Sequence, residues 1–374
     1  MKIAIVTLVL IEENQLDYYN PQSIGLARAI AKVGNNVSVY SIEETDRKSK
    51  RTTKLMNNLT LYQIPAKGIG RNSIGFTKYL DYGYDVVICF SDIQLGYKSI
   101  VKWCKKNDIT LYPYVGVIKS RQDSKIKRFL MEIIAKRNIN LYRKQLVFAK
   151  TEKVYSELKD RMIKSIIATV GLDMNCMKEP SIDMDITEIK QALGFHQVDE
   201  VILFVGRLVN EKRPLELLDI FHKLSQENPN YKLCMIGQGE LEDKVLNKIE
   251  KLGLKQSVCL VDLVPNNMMW RYFKISSYYV NLNLGEIFGM AILEAMFYNC
   301  RVVARRAPGP EMIITNKVDG YLCDNDIEIV QCIIKDNVKS MGELAHDKIL
   351  KKFTWENTAE IMLSIIQKQL NAKK

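Results

Sequence analysis

Two carboxylates and the turn between them carry the strongest chemical signal in this 374-residue sequence. Glu286 and Glu294 stand eight positions apart, with Phe288-Gly289-Met290 between them. Ion-pair partners on one helix face are spaced i,i+3 or i,i+4, so this pair is no intrahelical salt bridge. The Phe-Gly step reads as the start of a helix. That places Glu286 on the loop before it and Glu294 about two turns in, both near the helix N-terminus. Such a terminus offers unpaired N–H groups and the positive end of a dipole. Carboxylates that accept from hydroxyls, beside N–H groups that hold an anion, fit a ligand bearing both, such as a nucleotide-sugar.

Three further loops carry ligand-type residues. Gly206-Arg207 follows the apolar run 201–205, and Lys212 lies five positions on. Arg207 can fork onto two phosphate oxygens and Lys212 adds a point charge. Taken alone, an ordinary surface loop with Glu211 as partner is an equal reading. Gly237-Gln238-Gly239 follows the run 232–236, and glycines there let backbone approach a ligand. It is neither a GxGxxG fingerprint nor a P-loop. Gly309-Pro310-Glu311 follows the run 301–304, with Arg305 and Arg306 ahead of it. Asp183-Met184-Asp185 sits in a polar stretch and not at a strand end, so it reads as a solvated acidic turn. No Cys/His cluster has zinc spacing, and no metal is expected.

The elements that must position these residues alternate. In the first half, apolar runs at 3–10, 37–40, 59–64, 86–90, 110–114, 146–149 and 166–169 read as strands with helical stretches between most of them. The first helix has Asn20 as a plausible N-cap and Pro21 in its first turn. The polar stretch 173–200, holding Pro180, reads as a linker. Alternation then resumes, with strands at 201–205, 232–236, 258–261, 278–282 and 301–304, helices between, and a final helical region. Strand–helix alternation predicts parallel sheets covered on both faces, hence two doubly wound, Rossmann-like α/β domains. Ligands bind at the carboxyl ends of such strands, and two such domains facing each other create a cleft. All four loops fall at that edge of the second domain.

This pattern resembles the glycosyltransferases of the GT-B fold, and within them the large retaining group known as family 4. The resemblance rests on Glu286…Glu294 with Phe288-Gly289 inside it, on Gly206-Arg207…Lys212, on Gly237-Gln238-Gly239, and on a closing segment with Phe353-Thr354-Trp355. It implies an acceptor-binding domain over 1–175, a nucleotide-sugar donor-binding domain over 176–354, and a last helix near 355–370 that packs back on the first domain. It implies that Arg207 and Lys212 hold the donor diphosphate and that Glu294 takes the ribose hydroxyls. Glu286, with backbone N–H groups near Phe288, Gly289 and Met290, would orient the donor sugar, and Glu311 would support that loop. The implied activity is a metal-independent, cofactor-free hexosyl transfer with retention, from a UDP-sugar more often than a GDP-sugar. The implied acceptor is a glycan or lipid-linked hydroxyl in polysaccharide or glycolipid synthesis. Relatives often carry a Gly-Gly turn after the first strand and a histidine after the fifth. Here those places hold Glu12–Tyr19 and Tyr112-Pro113-Tyr114, which leaves Tyr114 or a phosphate of the substrate as candidates for the missing group. His196, His222 and His346 read as surface or packing residues. A nucleotide-sugar epimerase and a non-catalytic GT-B subunit that activates a partner transferase remain alternatives on the same scaffold.

Charge bounds the partners. The net charge is +11, yet residues 1–175 hold 29 Lys and Arg against 16 Asp and Glu, while the rest is nearly balanced. A basic first half implies an acidic partner there. Lys119–Lys144 concentrates it, with Ile126, Phe129, Leu130, Ile133 and Ile134 at helical spacing. That apolar stripe is expected to face the core. The basic face is expected to suit an anionic membrane surface such as the inner face of the plasma membrane. No stacking platform or binding motif accompanies the charge, so nucleic acid is not expected. Cys89, Cys234 and Cys259 read as buried thiols, a pattern of the reducing cytoplasm. No run of about 18–20 apolar residues exists to span a membrane.

Overall fold

The computed structural model describes residues 1–12, 21–119, 124–177, 185–336 and 340–372. They form two compact units, Met1–Asp173 with Trp355–Lys374, and Met174–Thr354.

Unit 1 is built on a parallel sheet. Its central strands β1 (Lys2–Glu12) and β6 (Val86–Phe90) are near-continuous apolar runs, and all five residues of β6 are buried, as expected where helices cover both faces. β2 (Asn36–Glu44) and β4 (Leu59–Ile69) extend the sheet on one side of β1. β7 (Thr110–Val115), β8 (Val147–Ala149) and β9 (Ser165–Ile167) extend it beyond β6, all in parallel. Two strands were not legible in the sequence. β3 (Arg51–Met56) pairs antiparallel on the outer side of β4 and is largely exposed, so no apolar pattern marks it. Its Arg and Lys residues protect an edge. β5 (Asn72–Ile74) is a short antiparallel clip between β4 and β1. α1 (Gln22–Lys32) has Pro21 itself at the N-cap, while Asn20 lies outside the described residues. The last helix, α13 (Trp355–Asn371), returns to unit 1 and packs on α1. Thr358 donates to the Thr169 carbonyl at 2.6 Å, Tyr112 donates to Gln369 at 2.8 Å, and Lys32 pairs with Glu356 at 2.7 Å.

The expectation for the basic stretch is overturned. α3 (Lys125–Tyr142) buries only Ala135, Asn138 and Tyr142. Ile126, Phe129, Leu130 and Ile133 are 75, 64, 55 and 51% exposed. Helical spacing identified the stripe correctly, but only the second half of the helix meets the unit's core. Asn138 donates to the carbonyls of Asp92 and Gln94, and Tyr142 to that of Asp92.

Among the described residues, unit 2 carries six parallel strands: β10 (Glu200–Val205), β11 (Tyr231–Ile236), β12 (Val258–Val261), β13 (Ser276–Asn281), β14 (Arg301–Arg305) and β15 (Tyr321–Cys323). Their order across the sheet is β12-β11-β10-β13-β14-β15. The stretch read as a linker is only partly one. α5 (Ile186–Ala192) forms there, and Ile189 and Phe195 are buried in unit 2. Asp185 precedes α5 without a side-chain cap bond. Pro180, Asp183 and Met184 lie outside the described residues. Cys89 and Cys234 are buried, but Cys259 is half-buried because β12 is an edge strand.

Candidate donor site

The strand order of unit 2 reverses between β10 and β13. Connections run one way from β10 and then cross to the other side, so the loops after these two strands diverge at their carboxyl ends. That is the switch point where ligands bind in open α/β sheets. Gly206-Arg207 leaves β10, and Leu282-Asn283-Leu284-Gly285-Glu286 leaves β13.

The two loops are joined by charge. Lys212 Nζ lies 2.7 Å from Glu286 Oε2, and both side chains are largely buried. Lys212 ends a 3-10 turn, followed by Arg213 in the left-handed region (φ 56°) and Pro214 at the first position of α6 (Pro214–Glu227). Glu211, the partner a surface-loop reading would give Lys212, is not the one it takes. Arg207 is exposed, and its guanidinium has no ion-pair partner among the described residues.

Two residues escaped the sequence reading. Asn281 and Asn283 donate their side-chain amides to Glu286 Oε2 at 3.4 and 3.3 Å. Their own oxygens accept the backbone N–H groups of Asn283 and Gly285 at 3.0 and 2.8 Å. These are Asx turns, which fix a short polar loop. The available signal was an Asn-x-Asn step at a strand end just before Gly-Glu. Lys212, Asn281 and Asn283 together aim one carboxylate oxygen and leave the other without a protein partner among the described residues.

The glycines of Gly237-Gln238-Gly239 serve packing. A Cβ on Gly237 would sit 2.1 Å from the Gly206 carbonyl oxygen, and one on Gly239 would sit 2.4 Å from that of Leu208. Leu208 donates to the Gln238 carbonyl at 2.9 Å. Gly237 and Gly239 therefore let their loop close on the backbone of Gly206, Arg207 and Leu208.

The loop carrying Glu286 is braced from β14. Gly309, in α10 (Pro308–Ile313), donates its N–H to the Glu286 carbonyl at 2.8 Å. A Cβ there would fall 2.4 Å from the Phe288 carbonyl oxygen. The support expected from Glu311 comes from Gly309 instead. Glu311 is exposed and faces Arg306 at 3.8 Å. Arg306 also pairs with Asp324 at 3.0 Å, and Arg305 with Asp326 at 3.2 Å, so these arginines are engaged within the protein.

Gly289 (φ 93°) is the N-cap of α9 (Met290–Phe297), with no side-chain cap. The α9 N-terminus thus opens beside Glu286. Phe288 is buried, its ring 6.4 Å edge-on from Phe353, so the Phe288 contribution to the site is its backbone. Met290 is half-buried. Glu294 is half-buried in α9, and burial pushes its carboxyl up to about 7. No hydrogen-bond partner meets it among the described residues. A desolvated, unpartnered carboxylate has unused acceptor capacity for hydroxyls. The buried Tyr279 phenol is pushed up first by burial, then by the charge of Glu286 and, less, of Glu294.

Tyr114 is not brought to any such place. It is fully buried in unit 1, with Phe90 5.0 Å and Trp355 6.4 Å from its ring. Among the described residues its hydroxyl has no hydrogen-bond partner, and burial drives its pKa far up. The His222 ring lies 3.3 Å from Gln226, that of His346 meets the Phe297 carbonyl, and His196 donates its backbone N–H to Asp199.

Residues 185–347 match the family described as glycosyl transferases group 1. Alpha-monoglucosyldiacylglycerol synthase of Streptococcus pneumoniae is 22% identical over 48% of this chain and 41% of its own. The aligned part spans less than half the length of such curated relatives. Sucrose-phosphate synthase of Thermosynechococcus elongatus superposes over 100% of both chains with a TM-score of 0.77 at 16% identity. Anabaena HepE, solved in complex with UDP-glucose, does so over 100% of both chains with 0.71 at 17%. The chain has the GT-B fold, and its match to the glycosyl transferases group 1 family falls within the second unit.

Proposed function

We propose that this chain is a retaining glycosyltransferase that moves a hexosyl group from a nucleoside-diphosphate sugar, UDP-linked by preference, to a hydroxyl of a glycan or lipid-linked acceptor. The carrying observation is the Lys212–Glu286 ion pair across the switch point, braced by Asn281 and Asn283, with an exposed Arg207 on the same loop as Lys212. In this reading Arg207 and Lys212 hold the diphosphate and offset the charge that builds on it as the glycosidic bond breaks. The α9 N-terminus adds N–H donors and its dipole. The Glu286 oxygen left open by its neighbours accepts from the donor sugar's hydroxyls. Glu294 accepts from the ribose. Positive charge supplied by the protein makes a metal unnecessary, and turnover is expected to be the same with and without EDTA.

Unit 1, which holds the excess of basic residues, is assigned the acceptor. Its charge favours an acidic acceptor or one held at an anionic membrane surface, consistent with a cytoplasmic enzyme at the inner face of the plasma membrane. HepE was solved with UDP-glucose, and the name of the pneumococcal relative states a diacylglycerol-based glycolipid.

Thermal stabilisation by UDP, GDP and ADP tests the donor site. A ligand at about 100 times its dissociation constant adds about 2.7 kcal/mol. A shift with UDP that Arg207→Ala removes is the expected result, and no shift with any nucleotide would sink the donor reading. The buried Tyr114 and the lack of any histidine in residues 1–175 favour a second reading, a non-catalytic subunit. That reading predicts UDP binding without turnover until a partner is added.

A further inference from the structure

Among the described residues, the first half of α3 lacks two common local supports. Ser124 makes no side-chain cap, and the first turn holds no acidic residue. Lys125, Lys127 and Arg128 stand there against the positive end of the helix dipole. Ile126, Phe129, Leu130 and Ile133, at i, i+3, i+4 and i+7, form one continuous stripe that is more than half exposed along its length. A helix this short of local stabilisation ordinarily relies on packing of its apolar face. Both deficits have the same remedy, a surface that is negative and apolar within a few ångströms.

We propose that the first half of α3 is an in-plane anchor, whose stripe Ile126, Phe129, Leu130 and Ile133 enters the headgroup–acyl boundary of an anionic bilayer. Lys125, Lys127, Arg128 and Lys136, all exposed and opposed on the helix only by Glu132, bind the acidic headgroups. No described helix is long and apolar enough to cross a membrane, so the anchor lies on the bilayer and does not span it. A protein partner fits less well, because interface cores are depleted in lysine and here cations flank the stripe closely. The second half of α3 is fixed to unit 1 through Asn138, Tyr142 and Arg137, which donates to the carbonyls of Gln94 and Leu95. Docking therefore holds unit 1 itself at the bilayer. The anchor deepens the acceptor reading above by committing it to lipid-linked hydroxyls, while its geometry stands apart from the donor site.

Cosedimentation with phosphatidylcholine vesicles, with and without phosphatidylglycerol, tests it. The full chain is expected to bind the anionic vesicles, more weakly at high salt. Phe129→Ser with Leu130→Ser should weaken that binding about tenfold or more at fixed salt, since apolar burial is lost while charge is kept. Both sites are exposed, so the fold should survive, and a retained UDP thermal shift checks this. Equal binding by the double variant would reduce the contact to charge alone and overturn insertion. So would failure of the wild-type chain to bind any vesicle. So would self-association in free solution that the double variant abolishes, which would give the stripe to a second copy. Vesicle binding without a UDP shift would retire the donor reading and leave the anchor; a UDP shift without vesicle binding would do the reverse.

Discussion

The carboxyl ends of the two sheets differ although their central strands follow the same order. In unit 1, Thr7, Phe90, Tyr114 and Phe148 lie in one register row across β1, β6, β7 and β8. That edge is filled by rings, with Lys150 Nζ 4.8 Å and 5.0 Å over Phe90 and Tyr114. In unit 2 the corresponding loops hold an exposed Arg207 beside Lys212, Asn281, Asn283 and Glu286, and these last four are joined by hydrogen bonds and one ion pair. Packed rings stabilise by area and dispersion and turn their polar atoms inward. A hydrogen-bonded loop cluster keeps acceptor and donor capacity open to a ligand. One topology thus carries a ring-packed edge and a hydrogen-bonded polar edge, and the loops set the difference more than the strand order.

The sharpest test removes the centre of the hydrogen-bonded edge. Glu286→Ala deletes the partner of Lys212 and the acceptor aimed by Asn281 and Asn283. Turnover is expected to fall about 10²–10³-fold or more, the range for one preorganised contact, about 2–4 kcal/mol. Far-UV circular dichroism should be unchanged. Turnover within a few fold of wild type would mean that the ion pair is structural and that the two edges differ only in packing.

Much of this edge was legible because its chemistry is local in sequence. Glu286, Phe288, Gly289 and Glu294 fall within nine positions, and the Phe-Gly step does start a helix at Met290. The strands of unit 2 were legible because fully parallel strands read as apolar runs; β15 was too short to register. What could not be read was tertiary. Asn281 and Asn283 act through a carboxylate whose position depends on the loop's fold. Gly309, not Glu311, braces that loop by a backbone approach that side-chain chemistry does not announce. Periodicity found the stripe on α3, yet periodicity gives a face and not what covers it.

A smaller effect is expected from the brace. Gly309→Ala places a Cβ against the Phe288 carbonyl oxygen, where backbone must move. Forced displacement of packed groups costs about 1–3 kcal/mol. Unit 2 should unfold at lower temperature, and UDP affinity should fall with it, because the Glu286 carbonyl loses its aligned donor. Glu311→Ala, by contrast, should change both little, since its exposed ion pair contributes about 0–1 kcal/mol. Equal effects of the two would return the support role to Glu311.

Glu294 gives the comparison a pH signature. Burial raises its carboxyl from the usual range to about 7. The folded chain therefore holds a proton that the unfolded chain has released, and this group's contribution to stability declines as pH rises from the carboxylate range through about 7. Ribose hydroxyls donate best to the ionised form. UDP affinity should accordingly strengthen as pH rises through about 7, by at most about tenfold per pH unit. Glu294→Gln should remove that slope and weaken binding at the alkaline end. A slope that persists in the variant would assign it to the nucleotide's phosphate.

The smallest expected effect lies at the packed edge. The Tyr114 hydroxyl is buried and has no hydrogen-bond partner among the described residues, so it contributes desolvation cost without a compensating bond. Tyr114→Phe keeps the ring contacts with Phe90 and Trp355 and removes only that oxygen. Stability should hold or rise slightly in thermal unfolding, and turnover should stay within about twofold. If turnover instead falls tenfold or more while UDP affinity is unchanged, the hydroxyl must act on the acceptor side during the reaction. The packed edge would then be a second reacting edge that opens to substrate, and the contrast between the two sheets would be one of state and not of kind.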